Sequence, residues 1–291
     1  MKFGIMFANS ARYADGEAAT AIATAADECG IESIWAVEHV IIPHGYQSQY
    51  PYHESGKIPG GEDPDLPDPL LWLAHAAALT THIRLATGIL IVPQRNPVVL
   101  AKECATLAKL SNNRFELGIG VGWLQEEFDA LGIPWAARGK RTDEYCEAMQ
   151  ALWSQEHAEY QGEFVNFSNA ISRPQPDGGT IPIVVGGHSD AAARRAGRYG
   201  TGFFPAKGTD EELTHLFDVV RRAAADHGRD GEAIENTTMV WSPRRESLDR
   251  VKELEDIGVD RLVVAPPTSN PAKIREAVEQ LAETIAPVAT R

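Results

Sequence analysis

Eight short apolar runs, each followed by a helix-length segment, constrain this chain more than any other feature. They begin near Lys2, Ser33, Ile83, Arg114, Ile181, Gly202, Thr237 and Arg261. The clearest pair lies in the middle, where residues 84–92 and 114–121 are rich in Ile, Leu and Val and are separated by one segment opening with Asn96 and Pro97. Strict alternation of apolar and polar residues marks a strand with one wet face. A run without alternation marks a strand buried on both faces, as in a parallel sheet covered by helices. Eight such units in 291 residues, 43% of them hydrophobic, with no break in composition, predict one α/β domain over residues 1–291. Its expected form is a single (β/α)8 TIM barrel. An open doubly wound sheet is the other architecture this alternation permits, and the absence of GxGxxG after the first strand counts against it.

Local signals place the elements. Asp68-Pro69, Asn96-Pro97, Ser242-Pro243 and Asn270-Pro271 each pair a capping residue with proline and predict helix starts. Thr209 and Glu212 form a capping box, and Gly30 stops a helix over residues 16–29. A helix is expected over residues 142–154, and residues 160–167 read as a small hairpin inserted between the fourth and fifth strands. The long loop after the second strand, residues 40–67, is rich in Pro, Gly, His and Tyr, and ordering such a segment inside a domain usually serves function.

Charge narrows the partners. With 27 Lys plus Arg against 41 Asp plus Glu, the formal charge is -14, which repels nucleic acid and acidic membrane surfaces. No apolar segment approaches the roughly 20 residues a membrane helix needs, and the N-terminus lacks a signal-peptide pattern, so the chain reads as cytoplasmic. Cys29, Cys104 and Cys146 match no metal or redox spacing and are expected to be buried as small apolar side chains.

In a barrel of this kind the active site lies just beyond the strands' C-terminal ends. Those positions here are rich in glycine and poor in paired carboxylates, which suits a flat cofactor better than a hydrolytic dyad. At Gly186, Gly187, His188 and Ser189 a strand end runs directly into a helix start, where exposed N–H groups and the helix dipole can hold a phosphate. The same glycines can also serve only as a tight turn. Glu38 and His39 place an acid beside an imidazole at a strand end, for catalysis or for a hydrogen-bonded structural histidine. His39, His44 and His53 have no established metal-ligand spacing, and no metal is expected. Arg138, Lys140 and Arg141 cluster before the helix expected at Thr142, either holding an anion or pairing with Asp143 and Glu144. Trp123 follows glycines at a strand end and is the tryptophan expected to line the pocket.

Three stretches in this order and spacing, WAVEHVIIP, the segment from RLATGILIVPQRNP through GIGVGWLQEEFDALGIPWAARGKRTDE, and IPIVVGGHSDAAARRAGRYGTGFFP, resemble the luciferase-like monooxygenase superfamily. Within it the chain is most similar to the short oxidoreductases that use the deazaflavin coenzyme F420. The resemblance covers residues 1 to about 205. It implies a TIM barrel with the deazaflavin at the C-terminal face and a non-proline cis peptide behind the ring, matching Gly88-Ile89. It implies Glu38 and His39 as the family's acid-histidine pair, with His39 near the reacting edge, and Gly186, Gly187, His188 and Ser189 as the phosphate loop. Thr87, Gly120, Val121, Gly122 and Trp123 fall beside the same ring. The sugar-phosphate dehydrogenase branch carries a glutamate where this chain has Trp123, which argues against a sugar phosphate as substrate. FMN-dependent members are usually longer, which favours F420 over FMN here. The expectation is a hydride transfer between F420 and a small organic substrate, with the long loop as its cover. The alternatives are an FMN-dependent monooxygenase and a cofactor-free hydrolase or lyase using Glu38, His39 and Glu126. The family often forms homodimers through barrel helices, and nothing in this sequence marks an oligomeric state.

Overall fold

The computed structural model describes residues 1–241 and 248–290. Its sheet is a ring. The strands β1 (Lys2–Ile5), β2 (Ser33–Ala36), β3 (Arg84–Thr87), β4 (Phe115–Gly120), β5 (Ile183–Gly186), β6 (Gly202–Phe204), β7 (Glu235–Val240) and β8 (Arg261–Val264) follow one another around it. Every neighbouring pair is parallel, and β8 returns to pair with β1, as Lys2 with Arg261 through Ile5 with Val264. The sheet has no order reversal, so the doubly wound alternative is excluded. The predicted third strand is not continuous. After β3 the chain breaks at residues 88 and 89, and a two-residue strand, Leu90–Ile91, resumes alongside β4.

Helices α1 (Gly16–Glu28), α2 (Pro69–Leu79), α3 (Pro97–Leu110), α4 (Gln125–Ala130), α5 (Arg138–Ser154), α6 (Asp190–Tyr199), α7 (Asp210–Asp226), α8 (Leu248–Asp256) and α9 (Ile274–Ile285) connect the strands. The caps explain most of their starts. Asp68 accepts from the Leu70 and Leu71 N–H groups, Asn96 does the same for Val98 and Val99, and Thr209 with Glu212 closes a capping box. Asn270 caps a single 3-10 turn, Pro271–Lys273, that leads into α9. The expected start at Ser242-Pro243 lies outside the described residues. One expectation fails: α5 begins at Arg138, not Thr142, because Ala137 turns the chain in a left-handed conformation without any side-chain cap. The hairpin, Ala158–Gln161 with Asn166–Ala170, is antiparallel and separate from the barrel, as expected of the insertion.

Inside the barrel the layers differ in chemistry. At the N-terminal end Arg261, 1% exposed, bonds to Glu32 at 2.6 and 2.9 Å and reaches Glu235 at 3.1 Å. Above it Trp35, Met6, Ala86, Val184, Phe204 and Val263 form an apolar layer. The C-terminal mouth is where the polar and aromatic side chains of the loops converge.

Candidate active site

Ile89 sets the shape of the mouth. The Gly88-Ile89 peptide bond is cis, as the resemblance implied. The Ile89 side chain, half-buried, lies across the ends of β4 and β5. A Cβ placed on Gly120 would come 2.2 Å from its Cδ1, and one on Gly186 would come 2.7 Å from its Cγ2. Glycine is required at both positions because isoleucine already fills the space. Thr87 does not join this surface: it is fully buried and its hydroxyl donates to the Gly118 carbonyl at 2.6 Å.

Glu38 and His39 follow the end of β2, and their side chains take different partners. The Glu38 carboxylate is buried, accepts from the Ile91 N–H at 2.6 Å and from Arg95 Nε at 3.0 Å, and so ties the strand after the cis bond to the second strand's end. Arg95 in turn reaches Asp68, the cap of α2, at 2.6 Å. A catalytic role for Glu38 loses its geometric basis, since the carboxylate is engaged with Arg95 and the backbone. His39 instead meets Glu127 of α4, Nδ1 to Oε2 at 3.0 Å, and Glu127 is fully buried. The other oxygen of Glu127 accepts from the Val40 and Ile41 N–H groups at 2.7 and 3.3 Å. Sequence reasoning chose Glu126 for this neighbourhood and missed Glu127. The signal was present, because Glu127 follows Leu124 by three positions and precedes Phe128, both fully buried, and so lies on the apolar stripe of a helix.

Glu126 has a separate task. It accepts from the Gln47 and Ser48 N–H groups at 2.6 and 3.1 Å and from the Ser48 hydroxyl at 2.6 Å, pinning the long loop. The Ser48 hydrogen bond, with the backbone N–H groups, lowers its pKa to about 2 against the opposing effect of burial. The hydrolytic constellation of Glu38, His39 and Glu126 is therefore not assembled.

The loop, residues 40–67, brings rings onto the mouth. Trp123, half-buried after β4, is met edge-on by His39, Tyr46 and Tyr50 with centroids 5.6, 5.5 and 5.1 Å away. Tyr50 contacts Tyr52, and Tyr52 contacts His188, at 5.5 and 5.1 Å. The aromatic contacts thus run without a gap from His39 to the loop after β5. Burial, with Tyr50 beside it, pushes the Tyr52 phenol up to about 12. Asn9 closes the other end of the loop, donating to the Val37 and Pro67 carbonyls at 2.9 and 3.0 Å.

The Gly186 to Ser189 turn is partly committed. The Gly187 N–H donates to the Phe204 carbonyl at 3.1 Å, and the Ser189 hydroxyl caps α6 through Ala192 N–H at 3.3 Å. His188 Nδ1 is buried and, among the described residues, has no hydrogen-bond partner. Burial, followed by the nearby Lys207 charge, lowers its pKa. An unpaired buried ring nitrogen beside a strand-to-helix turn is a place for a polar ligand group. Val121 and Gly122 continue from Gly120, and the Gly122 carbonyl lies 3.4 Å from Arg138 Nε. The basic cluster divides: Lys140 pairs with Glu163, Arg141 donates to the Pro134 carbonyl at 2.9 Å, and Arg138 stacks on Trp135 at 3.6 Å. Asp143 and Glu144, the partners expected for it, bond instead to Arg195 at 2.5 Å and to the hairpin N–H groups of Glu163, Phe164 and Val165. His39, His44 and His53 take separate partners, Glu127, Glu62 and Ser55. Among the described residues no helix is long and apolar enough to cross a membrane.

A profile of the family described as luciferase-like monooxygenase matches residues 1–241. A Mycobacterium tuberculosis protein described as uncharacterized is 33% identical over 273 residues, covering 91% of this chain and 93% of that protein. The F420-dependent glucose-6-phosphate dehydrogenase of Kineococcus radiotolerans is 30% identical over 236 residues, covering 79% of this chain and 64% of that enzyme. Among solved structures, the oxygenating constituent of 3,6-diketocamphane monooxygenase from the CAM plasmid of Pseudomonas putida, in complex with FMN, has a TM-score of 0.71. That likeness covers 100% of this chain and 99% of the other at 17% identity, which shows a common fold.

Proposed function

The chain belongs to the luciferase-like monooxygenase family, and on that premise we propose that it is an oxidoreductase transferring a hydride between coenzyme F420 and a small organic substrate. Proteins similar to it include F420-dependent and FMN-binding enzymes. The observation that carries the reading is the bed at the mouth, where the Ile89 side chain lies over Gly120 and Gly186 and only glycine at those two positions leaves room for it. The orphaned His188 Nδ1 at its edge fits a ligand with a polar tail. Ile89, Gly120, Val121, Gly122 and Trp123 would support the ring, and the turn at Gly186, Gly187, His188 and Ser189 would meet the phosphate. The coenzyme supplies the hydride chemistry when bound. His39 holds or donates the proton that the substrate needs, and Tyr46, Tyr50 and Tyr52 exclude water from it. With Trp123 where the sugar-phosphate branch has its acid, the substrate class proposed is not a sugar phosphate.

FMN-dependent oxygenation is the second reading, supported by the likeness of the whole fold to an FMN-bound structure. Equilibrium titration of purified protein with F420 and with FMN, followed by fluorescence, separates the two. Micromolar or tighter F420 binding with much weaker FMN binding is the expected result, and the reverse order overturns the assignment. In the same preparation His39→Ala should lower turnover on a panel of small alcohols and carbonyl compounds while F420 affinity stays within about threefold.

A further inference from the structure

We propose that Glu127 is a positioning residue that holds His39 as the Nδ1–H tautomer and so leaves Nε2 as the atom that works on the substrate. The inference rests on the role given to His39 above. A carboxylate is an acceptor only, and the two oxygens of Glu127 are divided between two tasks. Oε1 faces the Val40 and Ile41 N–H groups at 2.7 and 3.3 Å, while Oε2 faces His39 Nδ1 at 3.0 Å. Nδ1 must therefore carry a proton to make that bond. Among the described residues Nε2 has no hydrogen-bond partner, and the ring stands at 86° to Trp123. Both the ring plane and the protonation pattern are fixed from the far side of the imidazole, by a group that never touches the substrate.

Glu127 lies on α4 beside Glu126, and the two acids hold the chain on either side of residues 42–46. The imidazole and the root of the covering loop thus share one carboxylate. Substitution by glutamine exposes the logic. One amide oxygen cannot serve both sides, and the side with two N–H donors holds it more strongly. The amide NH2 then faces Nδ1, which can accept from it only if the proton has moved to Nε2. Glu127→Gln is accordingly expected to invert the tautomer without removing the ring.

The test uses coenzyme-free protein labelled with 15N-histidine. The chain has nine histidines, and the His39 signals are identified by their loss in His39→Gln. Wild-type His39 should show its neutral-form proton on Nδ1, and Glu127→Gln should show it on Nε2. Turnover of the F420-loaded variant should fall by at least about tenfold with coenzyme affinity within about twofold, and Glu127→Asp, which keeps the carboxylate, should recover part of the loss. A purely structural role would lower the melting temperature and leave the tautomer in place. A wild-type proton on Nε2 overturns the proposal whether or not the variant folds, and so does an inverted tautomer with unchanged turnover. Unchanged turnover in His39→Gln would instead remove the catalytic role of His39, while the resonances still report what Glu127 does.

Discussion

Glu38→Ala tests the reassignment of Glu38 from chemistry to architecture. The side chain is 2% exposed and accepts from Ile91 N–H at 2.6 Å and Arg95 Nε at 3.0 Å, with a second guanidinium nitrogen on the same oxygen. Truncation leaves the Ile91 N–H buried without an acceptor, at about 1–3 kcal/mol. It also removes charge-assisted bonds to Arg95, each group of which contributes about 1.5–3 kcal/mol. Arg95 is not stranded, because Asp68 remains 2.6 Å away, which keeps the total near about 3–5 kcal/mol, the usual range for a broken buried pair. At about 2–4 °C per kcal/mol in a chain of this size, melting should fall by about 6–20 °C. Thermal and urea unfolding of the two proteins, with turnover measured well below both transitions, make the comparison. The double variant Glu38→Ala/Arg95→Ala should be less unstable than the sum of the singles, since each single already breaks the shared contact. If Glu38→Ala melted within about 2 °C of wild type while losing turnover, the carboxylate would be acting on the reaction and the structural account would be wrong.

Gly186→Ala would place a Cβ 2.7 Å from Ile89 Cγ2 and 3.3 Å from the Ile119 carbonyl oxygen. The expected cost is about 1–3 kcal/mol of stability, with weaker F420 binding because Ile89 is displaced. Ile89→Ala in the same chain should restore part of both, and strictly additive effects in titration and unfolding would count against the Ile89 bed. For Glu126 the folded pKa of about 2 lies below the ordinary 4.5, so its hold on the loop is fully present above 4.5 and is lost as pH falls through about 2. The Gln47 and Ser48 amides should therefore stay protected from hydrogen exchange at about pH 4, where Glu126→Ala should expose them; equal exchange in both proteins at that pH would refute the anchor.

The order of strands was legible because each is covered on both faces and shows the pattern in its own residues. Helix starts were legible where a cap was spelled out, as at Asp68 and Asn96, and α5 was misplaced because Ala137 carries no such mark. The break at residues 88 and 89 was invisible to periodicity, since apolar residues continue across it. It was foreseen only through the family resemblance. The partner of His39 was harder still: Glu127 is 88 residues away in sequence, and Glu38, next door, is the more obvious acid. Neighbours in sequence at a strand end need not share a face, and here they serve different networks.

The covering loop is fixed mainly through its backbone. Glu127 takes the N–H groups of Val40 and Ile41, Glu126 those of Gln47 and Ser48, and Asn9 the carbonyl of Pro67. Apart from the Ser48 hydroxyl, these attachments read no side chain of the loop. The pegs are therefore indifferent to most of the loop's residues, and Tyr46, Tyr50 and Tyr52, whose rings meet Trp123 and His188, are the ones through which a change of loop sequence reaches the mouth.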